Sequence, residues 1–103
     1  MRAFRLEPGA DRCLDDIYDY TLRRWGVEQA DKYTTELFDE IAAIADRRLS
    51  WRPIAAEFGV DGFCRRWRRH VIYWKVQDRE IAIVALLHER MHQAARLQSL
   101  VEG

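Results

Sequence analysis

Residues 88–92 read His88-Glu89-Arg90-Met91-His92, which is the H-E-x-x-H pattern of zinc peptidases. The pattern carries that chemistry when one turn of helix sets both imidazoles on one face. They can then share a zinc ion while the glutamate polarises its water. The preceding "IAIVALL" is rich in β-branched residues and follows the turn-like "VQDRE", so it predicts a buried strand instead of a helix. His70, the remaining histidine, stands beside four arginines that would oppose a cation. This context argues against a zinc site, and we expect no metal and no cofactor.

Two other groupings have chemical potential. "RRWRRH", residues 65–70, surrounds Trp67 with guanidinium groups, the composition of a phosphate-binding surface with a stacking platform. The competing reading makes it a solvated strand face with Trp67 turned inward. Metal-free acid–base cleavage of RNA would have to draw on His88, His92, Tyr73 and the arginines. Ser50 and Ser99 have no convincing base, and Cys13 and Cys64 lie in no reactive or metal-binding motif.

The elements that position these residues follow from periodicity. "RAFRL" alternates and is expected to form a strand stopped by Pro8-Gly9. Leu14, Ile17, Tyr18, Leu22 and Trp25 then fall at helical spacing, with Asp11 suited to the helix start and Gly26 to its end. Ala30, Tyr33, Leu37, Ile41, Ile44 and Ala45 form the stripe of a second helix ending between Arg48 and Trp51. The short break between them implies an antiparallel helical hairpin. Residues 52–62 read as a loop.

From Phe63 the period changes to two. "FCRRW", "HVIYWKV" and "EIAIVALLH" are three strands, the last two joined by a turn at Gln77-Asp78-Arg79. "HVIYWKV" is apolar on both faces and should be central, with helices covering one side of the sheet. Ala94, Leu97 and Leu100 suggest a short terminal helix. The fold class is α+β: a small antiparallel sheet packed against an N-terminal helical hairpin, in the order β-α-α-β-β-β with a short C-terminal helix. The position of the first strand in the sheet does not follow from the pattern.

The 103 residues fit one domain, and 49% of them are hydrophobic, enough for a core without disulfides or metals. Lysine plus arginine equals aspartate plus glutamate at 17 each, so bulk charge names no partner. The distribution is uneven, with eight basic and eleven acidic residues in 1–50 against nine and six in 51–103. The N-terminus lacks the apolar region of a signal peptide and no run reaches membrane-spanning length, so we expect a soluble cytoplasmic protein with no membrane partner.

"DDIYDYTLRRWGVEQADKY", "GFCRRWRRHVIYWKV" and "EIAIVALLHERM" together resemble the ParE-type toxins of the ParE/RelE superfamily, across about residues 2–97. The resemblance implies a bacterial type II toxin that inhibits DNA gyrase and stabilises cleaved DNA. It also implies a cognate antitoxin, commonly of ribbon-helix-helix type, that wraps the toxin. Operator DNA would be reached only through that antitoxin. On this basis Arg90, Met91, His92 and Arg96, with Arg65 and Arg66, are assigned to the target, and Trp25, Tyr33, Leu37 and Trp74 to the antitoxin. The alternatives are a RelE-like, ribosome-dependent mRNA endonuclease using Arg65, Arg68, Tyr73 and His88, or a toxin fold without toxicity. The sequence departs from the family pattern at Ala85, where many relatives carry arginine, and in the "RRWRRH" turn.

Overall fold

The computed structural model describes residues 3–102. Strand β1 (Phe4–Leu6) leads directly into helix α1 (Pro8–Trp25), which turns at Gly26 into helix α2 (Val27–Ala45). A two-residue strand β2 (Arg52–Pro53) and a 3-10 turn (Ala56–Phe58) precede β3 (Phe63–Trp67), β4 (His70–Gln77) and β5 (Glu80–His88); helix α3 (Gln93–Glu102) follows. The sheet order is β1-β5-β4-β3-β2. Neighbours are antiparallel except β1, which runs parallel to β5 with Phe4 opposite Ile81 and Leu6 opposite Ile83. This settles the placement that periodicity left open, because parallel pairing joins segments far apart in sequence.

Several boundaries differ from the sequence expectation. The strand ends before Pro8 as expected, but the helix begins there at once: Pro8 is its first residue, where the missing N–H costs nothing and the fixed φ suits the helix. Asp11 consequently lies in the first turn of α1, still favourable for the helix dipole, and not at its cap. Helix α2 ends at Ala45, earlier than expected, and residues 52–62 contain β2 and the 3-10 turn. Gly26 has φ 94°, accessible without strain only to glycine; its N–H closes α1 on the Leu22 carbonyl at 2.9 Å, and its own carbonyl accepts from Ala30 at 3.0 Å.

The helical hairpin covers one face of the sheet. Ile17, Leu37, Ile41 and Ile44 meet Ile72, Trp74, Ile81, Ile83 and Leu86 there. The opposite face is also covered, contrary to the expectation of helices on one side only. Leu97 and Leu100 of α3, together with Ile54, Phe58 and Val60, pack on Tyr73, Val84, Ala85 and Leu87. Helix α3 is held there by Gln98 Nε2 donating to the Phe58 carbonyl at 2.6 Å and by Tyr73 donating to Gln93 Oε1 at 2.7 Å. Strand β5, flanked by strands and covered on both faces, is buried from Ile81 to Leu87, which explains its continuous apolar run.

A bulge interrupts the β4–β5 ladder: Tyr73 pairs with Ala85 and Trp74 with Ile83, leaving Val84 as the extra residue. It reverses the alternation of β5, so that Ile81 and Ile83 face the hairpin, Ala85 faces α3, and Leu86 returns to the hairpin side. Ala85 is fully buried opposite Tyr73.

The β4–β5 turn has positive φ at both central residues, Asp78 (52°) and Arg79 (68°). That is the geometry of the tight hairpin turn that favours Asn-Gly or Asp-Gly. Arg79→Gly is expected to raise stability by about 1 kcal/mol, the usual cost of a left-handed non-glycine residue, offset in part by greater freedom of the unfolded chain. A higher urea midpoint with an unchanged m-value would show it.

Candidate functional site

Where α1 meets the carboxyl end of β5, the chain forms an open cleft of about 960 Å³. Helix α1 contributes Asp16, Asp19, Tyr20, Arg23, Arg24 and Trp25; the start of α2 adds Gln29 and Tyr33. The β3–β4 turn supplies Arg69 and the start of β4 supplies His70, β5 ends there in Leu86, Leu87 and His88, and Arg90, Met91 and Arg96 complete the lining. The cleft exists because α1 leans on β5 while the chain leaves the sheet after His88, before α3 begins at Gln93.

The arginines in and around the cleft divide into two sets. Arg65, Arg66, Arg68 and Arg69 from "RRWRRH" are engaged in ion pairs: Arg65 with Glu40 at 2.9 Å, Arg66 and Arg69 with Glu89, and Arg68 with Glu36. Trp67 packs inward against Tyr33, ring centres 4.9 Å apart, with the Arg68 guanidinium above it. Much of the phosphate-binding potential of that stretch is thereby committed within the fold. Arg23, Arg24, Arg90 and Arg96, by contrast, have no carboxylate within ion-pair distance among the described residues.

On one wall of the cleft Tyr33 Oη and His70 Nδ1 share a hydrogen bond of 2.9 Å, and the His70 ring meets His88 edge-on at 5.3 Å between centres. Burial, and then the neighbouring His88, push the His70 pKa down to about 4, with Glu89 opposing weakly. Burial raises the Tyr33 hydroxyl in turn. Both groups are therefore uncharged near neutral pH.

The unfolded chain takes up the His70 proton near pH 6.5 whereas the folded chain resists until about pH 4, so stability falls as pH drops through that window and is unaffected above it. Discounted for partial solvent access, the expected loss is about 2 kcal/mol. Urea midpoints at pH 7 and pH 4.5 should differ less in His70→Asn than in the unsubstituted protein.

The zinc-peptidase pattern does not have its helix. His88 ends β5, residues 89–91 form a turn, and His92 precedes α3. His88 Nδ1 accepts from the Arg90 N–H at 3.1 Å, while His92 Nδ1 accepts from the Ala95 N–H at 3.2 Å and so caps α3. Among the described residues no cluster of three or more His, Cys, Asp or Glu side chains is arranged to hold a metal.

The structure brings Arg90, Met91 and Arg96 to the cleft together with Trp25 and Tyr33. His92, Arg65 and Arg66 do not line it. Leu37 and Trp74 require correction: they are 1% and 0% exposed, packed between hairpin and sheet, and no partner can touch them without opening the core. Their apolar-stripe positions marked burial, whereas Trp25, at the end of α1 and 67% exposed, lies on the surface. Sequence reasoning missed Tyr20, Arg23, Arg24 and His70 as members of one site. The available signal was the run Arg23-Arg24-Trp25 at the end of a helix.

The family model described as "ParE toxin of type II toxin-antitoxin system, parDE" matches residues 4–93. The chain belongs to the ParE toxin family. It is 35% identical over 99 residues to Toxin ParE1 of Caulobacter vibrioides, an alignment spanning 94% of this chain and 99% of that one. It is 29% identical over 103 residues to Toxin ParE of Escherichia coli, covering the whole of both chains. In structure it resembles a chain of the chromosomal ParDE toxin–antitoxin system from P. aeruginosa, with a TM-score of 0.67 at 20% identity, over 85% of this chain and 96% of the other. The RelE/ParE-like fold expected from the resemblance is thus the observed one. No helix among the described residues of this ParE-family chain is long and apolar enough to cross a membrane.

Proposed function

We propose that this chain is the toxin of a type II pair that, when free, binds and inhibits DNA gyrase in the cytoplasm, and that a cognate ribbon-helix-helix antitoxin neutralises it by direct binding. The observation that carries the reading is the convergence of Arg90, Met91 and Arg96 at one open cleft beside Trp25 and Tyr33. Arg90 and Arg96 have no ion-pair partner among the described residues, and Met91 is 41% exposed. Unpaired guanidiniums around exposed apolar surface are suited to protein partners, because arginine and large apolar residues supply much of the binding energy at interfaces.

The ribonuclease alternative finds less support. Its four residues do not converge: Arg65 pairs with Glu40 on the hairpin side of the sheet, while Tyr73 points to the α3 side. Burial raises the Tyr73 pKa to about 12, leaving a poor proton acceptor whose hydroxyl already donates to Gln93.

The deciding experiment incubates purified gyrase and supercoiled plasmid with the chain and scores cleaved DNA. Arg90→Ala/Arg96→Ala is expected to lose at least tenfold in potency, about 1.4 kcal/mol of binding, with its melting temperature unchanged. Full potency in that variant would remove these residues from the target surface. Pulse labelling after induction supplies the wider test: an early fall in translation, with DNA synthesis spared, would move the assignment to the ribosome.

A further inference from the structure

The cleft's exposed surface is aromatic and basic, a composition that suits nucleic acid as well as protein. Its aliphatic lining is already covered: Ile17, Leu86 and Leu87 are 8%, 2% and 1% exposed. What faces solvent is largely aromatic, Trp25 at 67% and Tyr20 at 56%, with Met91 the aliphatic exception. Beside these rings stand Arg23 and Arg24, with the Arg24 guanidinium 5.8 Å from the Tyr20 ring centre, and across the cleft stand Arg90 and Arg96. An amphipathic acidic peptide would need open aliphatic surface to bury, and little is offered. Flat rings flanked by planar, unpaired guanidiniums match a strand of nucleic acid, whose bases stack on aromatics while its phosphates take bidentate arginine contacts.

We propose that the cleft binds single-stranded DNA, with Trp25 and Tyr20 as stacking surfaces and Arg23, Arg24, Arg90 and Arg96 as phosphate contacts. Asp16 and Asp19 also line the cleft, and their charge would repel phosphates from the part of α1 that carries them. This is a single-strand site, distinct from recognition of an operator duplex, and it stands whether or not the target is gyrase. The neutral overall charge is compatible with it, since association depends on the local field of a cleft as well as on the total.

The test is fluorescence anisotropy of a labelled 12-nucleotide oligo-dT with the purified full chain at 50 and 200 mM salt. Four phosphate contacts predict affinity falling by about 50-fold across that range. Arg23→Gln/Arg24→Gln should flatten the dependence to about 7-fold. Trp25→Ala should weaken binding by about tenfold and leave the salt dependence intact, as removal of a stacking surface does. All three side chains are exposed, so circular dichroism should show both variants folded. The proposal fails if the oligonucleotide does not bind at 100 μM protein and 50 mM salt, or if both variants bind as tightly as the unsubstituted chain. It also fails if a labelled Glu/Leu-rich amphipathic peptide binds in an Arg23/Arg24-dependent way while oligo-dT does not. Gyrase inhibition is scored separately, so either result leaves that reading to its own assay.

Discussion

Trp74→Ala is expected to destabilise the protein by about 4 kcal/mol, a large share of the 5–15 kcal/mol that holds a domain of this size together. The indole is fully buried in the layer between hairpin and sheet, edge-on to Trp51 at 5.8 Å and stacked with Phe63 at 6.3 Å between ring centres. Its removal leaves a cavity that three rigid elements cannot close. The melting temperature should drop by about 20 °C in calorimetry. Trp74→Phe provides the contrast. The indole Nε1 is buried without a hydrogen-bond acceptor, so phenylalanine sacrifices volume but also removes an unsatisfied donor. We expect that variant to lose about 1 kcal/mol. A loss as large as that of alanine would mean that the Nε1–H makes a favourable contact with a neighbouring ring.

Gly62→Ala should cost about 3 kcal/mol through a different mechanism. Gly62 has φ 143°, a conformation L side chains rarely adopt, and a Cβ there would stand 2.5 Å from the Trp74 carbonyl oxygen and 3.3 Å from Ile54 Cδ1. The first obstacle is backbone of a central strand and cannot move aside. The Gly62 carbonyl also accepts from the Ile54 N–H at 3.0 Å, so relief of the clash would pull on the segment carrying β2. Equilibrium denaturation in urea checks the size of the effect. A loss below 1 kcal/mol would show that β3 can shift without disturbing β4.

What the sequence disclosed was local. The hairpin, the three C-terminal strands and the turn at 78–79 follow from periods of 3.6 and 2 and from residues between them, and each lies where that reasoning put it. What it withheld depends on distant contacts. Pro8-Gly9 reads equally well as a strand stop or a helix start, and docking of β1 against β5, with the Glu7 N–H on the Ile83 carbonyl at 2.9 Å, decides it. The second covered face was hidden because the stripe of Leu97 and Leu100 announces a helix without saying which surface it docks on, and the contacts of Gln93 and Gln98 that help hold it there join residues 20 and 40 positions apart. The cleft was half legible. Its β5-end residues were found through the family resemblance, but Arg23, Arg24 and His70 join them only through tertiary packing. Conversely, an apolar stripe marks what can be buried without saying where the stripe outruns its partner, so Trp25 and Trp74 looked alike.

The central place of β5 has a consequence for the order of synthesis. Strands β1 and β4 and helices α1 and α3 all pack on residues 80–88. Translation delivers this segment after β1, both hairpin helices and β2 to β4, so both the β1 edge and the sheet-facing side of the hairpin wait for it. Nascent chains should stay protease-sensitive until β5 has left the ribosome, because the pairings that complete the sheet are the most distant in sequence. Arg90 and Arg96 emerge later still. A chain stalled before β5 would therefore lack both the strand that joins β1 to β4 and the two arginines assigned above to the target surface.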